Sequence, residues 1–137
     1  MPDQSDVVLP RWLTVSADPP ARDATVLGGA GSRTRAALFT EWAARLGFPD
    51  YFGRNWDAFE ECLTDLVAER PRTLVVTDPT ELLADEPPEQ LGVLLAVLDT
   101  IAADTTDPSG GPGLRVLLHA GPGDSAGLRR RIGAALP

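Results

Sequence analysis

Residues Leu46 to Leu66 read LGFPDYFGRNWDAFEECLTDL, an aromatic and glycine loop that runs straight into an acidic helix. Asn55 stands at the entry, where its side-chain oxygen suits the bare amides of a first helical turn. At about 100° per residue, Trp56, Phe59, Leu63, Leu66 and Val67 share one face. Asp57, Glu61 and Thr64 project from another, with Glu60 on the border between them. Helical spacing thus gathers three carboxylates beside Tyr51 and Phe52. Taken alone, the acids fit a solvated face on which Asp57 supplies a dipole contact of ~0.3–1 kcal/mol. The aromatic pair and Gly53 are equally explained as a hydrophobic staple and a backbone turn.

Outward from this stretch, the elements alternate. Upstream, Ala37, Leu38, Trp42, Ala43 and Leu46 recur at helical spacing, which predicts a helix over Thr34 to Leu46 with Thr34 or Ser32 as N-cap and Gly47 at its end. Ala24 to Leu27 reads as a short buried strand stopped by Gly28 and Gly29. In VVLPRWLTV, residues 7 to 15, Pro10 confines any strand to an edge or to the part after the proline, and Trp12–Val15 reads as a short strand. Downstream, Pro71 bounds the acidic helix, and Thr73–Thr77, TLVVT, has the β-branched density of a buried parallel strand. Asp78-Pro79 then turns the chain into a short helical segment near Glu81 to Ala84. A long helix follows from Pro87 or Pro88, striped by Leu91, Leu94, Leu95, Leu98, Ile101 and Ala102. Thr105 to Gly113 is loop by composition, and Leu114–Leu118 is another strand. Ser125 to Leu136 reads as a short Arg-rich helix or a frayed tail. Strands separated by helices imply the α/β class, with a small three- to four-stranded, mostly parallel sheet covered by helices.

Length and charge narrow the function. A chain of 137 residues with 43% hydrophobic content supports one compact domain with a real core. Twenty acidic residues against 12 basic ones give a formal net charge of -8. Such a surface repels nucleic acid and attracts a basic protein. Cys62 is the only cysteine and His119 the only histidine, so no intramolecular disulfide forms, and no motif joins the two into a nucleophilic pair. The run Gly28-Gly29-Ala30-Gly31 lacks the spacing of a phosphate loop and reads as a strand-to-helix turn. Asp57, Glu60 and Glu61 could share a cation, but hard-cation sites collect more oxygen ligands from a dedicated loop, so neither metal nor cofactor is expected. The N-terminus has no cationic start followed by a long apolar run, and the apolar stretches are too short to span a bilayer. A cytoplasmic location with no membrane association is the expectation.

The string Pro49, Asp50, Tyr51, Phe52, Gly53, Arg54, Asn55, Trp56, Asp57, Ala58 resembles the barstar family. The hallmark of that family is a proline, acid, aromatic, aromatic, glycine, any residue, asparagine loop leading into a helix with an aspartate. The resemblance runs from about Ala24 to His119. It leaves residues 1–23 as an N-terminal extension able to add an edge strand, and residues 120–137 as a tail or short helix. The resemblance implies a non-enzymatic inhibitor of a small secreted guanyl-specific ribonuclease of the barnase kind, monomeric when free. In that family the loop and helix enter the enzyme's cationic cleft, where carboxylates take the place of substrate phosphates. Carried over, the contact residues are Tyr51, Phe52, Gly53, Asn55, Trp56, Asp57, Glu60, Glu61 and Thr64. Glu61 stands where the family's dominant aspartate sits, and Glu60 where the best-known member has a tryptophan. Asp99 and Thr100 fall nearest to a distal family glutamate. These departures keep a second reading open, in which the same fold serves as an interaction or immunity protein for a different toxin or regulatory partner.

Overall fold

A computed structural model describes residues 8–19, 22–50 and 52–137. The chain runs β1 (Leu13–Ser16), β2 (Thr25–Gly28), α1 (Arg35–Leu46), α2 (Trp56–Glu69), β3 (Arg72–Thr77), a 3₁₀ turn (Pro79–Glu81), α3 (Pro88–Asp104), β4 (Leu114–His119) and α4 (Pro122–Ala135). The four strands form one sheet in the order β1-β4-β3-β2, and every pairing is parallel. Among the described residues the protein is therefore an α/β fold with four strands and four helices.

The pleat explains which strand residues are buried. Register places Leu13 beside Val116 and Leu74 beside Val116, so Leu13, Val15, Leu27, Leu74, Val76, Leu114, Val116 and Leu118 share one face. All eight are buried in the helix-covered core. On the other face Thr14, Val26 and Arg115 are exposed. Leu38, Phe39, Trp42 and Leu46 of α1, Phe59, Leu63 and Val67 of α2, and the leucine stripe of α3 close the core. Phe39, which the sequence reading passed over, is 1% exposed. It meets Phe52, Trp56 and Phe59 at centroid distances of 5.6, 5.1 and 5.9 Å.

Both elements outside the 24–119 stretch join this core. β1 pairs with β4 along its whole length, and the Trp12 indole donates to Asp99 Oδ1 at 2.8 Å. In place of a frayed tail, residues 122–135 form a helix that buries Leu128 and Ile132. The helical segment expected near Glu81 to Ala84 begins earlier, at Pro79, because Asp78 takes the left-handed conformation (φ 45°) and the proline starts the turn. Beneath it, the Gly29 amide donates to Thr77 O at 2.7 Å. A Cβ on Gly29 would fall 2.2 Å from Asp78 O, so the turn out of β2 requires glycine.

Candidate functional site

The loop between α1 and α2 is held from both ends. Gly47 ends α1 in the left-handed region (φ 72°), its amide donating to Ala43 O. The Phe52 amide donates to Pro49 O at 2.9 Å, and the Phe52 ring stands edge-on to Phe39 and Phe48. Arg54 adopts φ 54° and its guanidinium donates to Ala36 O at 3.1 Å and Thr40 Oγ1 at 2.7 Å, tying the loop back onto α1. Asn55 Oδ1 accepts from the Ala58 amide at 2.8 Å, and its Nδ2 donates to Gly53 O at 3.3 Å. One side chain thus caps the helix and fixes the turn before it. Tyr51 lies outside the described residues.

The other proposed contact residues fall into two groups. Phe52 and Trp56 are half-buried and face the aromatic cluster. The Trp56 indole donates to Gln90 Oε1 at 3.0 Å, linking α2 to α3. Gly53, Asn55, Asp57, Glu61 and Thr64 are exposed, and Glu60 is half-buried at their flank. Asp65, not singled out from sequence, is exposed on the same side. Asp57, Glu61, Asp65 and Glu69 therefore repeat every fourth residue along the outer face, a spacing that was readable had the count continued past Thr64.

This stripe is electrostatically unbalanced. Only Glu69 has an ion pair among the described residues, to Arg72 at 3.3 Å. Like charges one turn apart destabilise a helix by ~0.2–0.5 kcal/mol per pair. Asp57 gains from the positive end of the dipole, whereas Glu69 sits at the negative end. Repulsion between the acids of this face therefore works against folding, in part offset at Asp57.

Cys62 and His119 stand on separate elements, Cys62 on α2 and His119 at the end of β4. The Cys62 thiol is pushed up by burial and then by Asp65 and Glu61, which disfavours the nucleophilic thiolate. His119 Nε2 lies 3.2 Å from Ala17 O at the end of β4. Asp99 is engaged by Trp12, and the Thr100 hydroxyl donates to Ala96 O at 3.0 Å. Among the described residues no group of three or more His, Cys, Asp or Glu is placed to hold a metal ion, and no helix is long and apolar enough to cross a membrane.

A family model described as Barstar (barnase inhibitor) matches residues 23–118. The matched segment contains the α1–α2 loop and all of α2, and it stops short of α4. No curated protein matches the chain. With more than half of its length under the family model, and with the loop, the acidic helix and a parallel sheet all present, the chain belongs to the barstar family.

Proposed function

We propose that the protein is a stoichiometric inhibitor of a small, secreted, guanyl-specific ribonuclease of the barnase kind, and that it acts inside the producing cell before the enzyme is exported. The observation that carries this reading is the outer face of α2, where Asp57, Glu61 and Asp65 stand exposed without an ion pair among the described residues. Their helix is capped by Asn55 and anchored through Arg54 and Trp56. A ribonuclease cleft must be cationic to hold RNA, so rigidly mounted carboxylates are steered into it and gain charge-assisted hydrogen bonds there. Rigid mounting matters because flexible acids would lose ordering entropy on docking. The barnase–barstar pair is the type case of this kind of steering.

The test is an active-site titration. RNA cleavage by barnase should fall linearly with added protein and vanish at the equimolar point, with equilibrium dissociation on the order of nanomolar or tighter. Unchanged cleavage at about tenfold excess, measured across several such ribonucleases at a concentration where nanomolar binding saturates, would reject the proposal.

One set of observations favours a second reading, a barstar-family protein with another toxin or regulatory partner. Glu60 and Glu61 stand where the resemblance implies tryptophan and aspartate, and Asp99 is occupied by Trp12. Failure to inhibit any ribonuclease, together with stable binding to a different basic protein encoded beside it, would support that reading.

A further inference from the structure

Among the described residues, two buried side-chain nitrogens lack a hydrogen-bond partner, Trp42 Nε1 and Arg131 Nη1. Trp42 is enclosed in the core, 1% exposed. Arg131 instead lines a cavity of about 570 Å³ between the start of α3, the turn before it and the end of α4. Pro88, Leu91, Ala134 and Ala135 make the walls largely apolar, and no residue of the α1–α2 loop or of α2 takes part. A cavity of this size, apolar with a few polar groups at fixed places, is the usual form of a small-molecule site. We propose that it binds a small organic monocarboxylate with an apolar body, and that Arg131 holds the carboxylate.

The guanidinium sets the charge of the ligand. Its Nη2 donates to a neutral acceptor, Leu82 O, at 2.7 Å, and Arg131 has no ion pair among the described residues. Burial alone pushes it down from the ordinary arginine value, as expected of a cation drawn out of water without a counter-ion. A planar guanidinium with unused donors pairs best with a carboxylate, which it can engage through two parallel hydrogen bonds. Two acids also line the cavity and oppose an anion. Glu86 is committed, its Oε2 accepting from the Arg35 amide at 2.8 Å. Glu89 is exposed in the first turn of α3, where the positive end of the helix dipole offsets its charge. The apolar walls favour a ligand that buries hydrocarbon over a compact, strongly hydrated anion. This site shares no residue with the acidic face of α2, so the inference goes beyond the inhibitor reading and does not depend on it.

The experiment is an NMR titration of the isotope-labelled full chain with 4-phenylbutanoate, with its primary amide and acetate as probes of the charge and of the apolar body. The carboxylate should give saturable shifts centred on residues 80–92 and 128–135. The amide and acetate should each bind about tenfold more weakly or worse, the scale of one hydrogen bond to a charged group or of the lost hydrocarbon burial. Arg131→Met should weaken 4-phenylbutanoate by about tenfold and leave the amide unchanged, a distinction that a purely structural role for Arg131 would not produce. Ala134→Phe, at an exposed position of α4 that lines the cavity, should fill it and abolish binding with the urea midpoint unchanged, which keeps the test decisive if Arg131→Met fails to fold. Absence of saturable shifts around the cavity, equal affinity for the carboxylate and its amide, equal affinity for acetate, or unchanged binding in either folded variant would each overturn the proposal. Ribonuclease inhibition is read separately, so failure of one proposal leaves the other standing.

Discussion

Asn55 shows how much of the site depends on single side chains. Its oxygen caps α2 and its amide nitrogen holds Gly53 O, so Asn55→Ala should lower stability by about 1 kcal/mol in urea unfolding. Affinity for the partner should fall as well, because the turn before the helix loses its tether. Cys62 reports on the acidic stripe. Asp65→Asn removes one of the charges that push its thiol up, so alkylation by iodoacetamide at mildly alkaline pH should become about twofold faster, the size of a screened charge interaction. An unchanged rate would place Asp65 away from the thiol. At this scale the caps were legible in sequence, because Thr34, Gly47 and Asn55 each bond to backbone groups within a few residues of themselves. The Trp12–Asp99 bond was not, since it joins positions 87 residues apart. The depth of Phe39 was equally hidden, because its burial depends on rings from the loop and α2 that periodicity within α1 cannot reveal.

Elements carry a second lesson. The strands and helices from β2 to β4 were readable from pattern because each has a clear period, and α2 was readable in detail because its two faces differ so sharply. α4 was harder, as its Arg129-Arg130-Arg131 run and small residues leave only Leu128 and Ile132 to mark a buried side. Those two residues are 2% and 1% exposed, and the Arg131 guanidinium donates to Leu82 O at 2.7 Å. α4 also reaches the edge strand β1, where the Arg129 guanidinium donates to Val15 O at 3.4 Å. Leu128→Ala should cost about 2–5 kcal/mol, read as a drop in the urea midpoint with the slope unchanged. A loss below about 0.5 kcal/mol, the level of an ordinary surface substitution, would show that the helix is dispensable. The outer face of α2 was legible as acidic, yet its full length was not, because the resemblance ends its list of contacts at Thr64.

Across the whole molecule, charge is unevenly distributed. From Asp57 to Asp107 the chain has 13 acidic residues and two basic ones, whereas α4 holds three consecutive arginines. A cationic partner of the kind proposed would be steered by the field of such a chain. Acid stability depends on other carboxylates. A hydrogen bond from Arg33 holds Asp85 below its usual range. The Ser109 hydroxyl and then the Gly111 amide do the same for Asp107. Both groups are lowered on folding, so their contribution is complete above the ordinary carboxylate range and is lost as pH falls through their folded values. Urea midpoints should fall on acidification, and Asp107→Asn should flatten part of that fall; a profile identical to wild type would exclude Asp107 from it.

The central claim, that the carboxylates of α2 drive binding to a ribonuclease, is tested most directly by association and dissociation rates with barnase for wild type, Asp57→Ala and Glu61→Ala at low and high salt. Each substitution should cost about 2–5 kcal/mol, largely through faster dissociation, and salt should slow wild-type association by about tenfold or more. Tight binding that is indifferent to both substitutions and to salt would contradict the account.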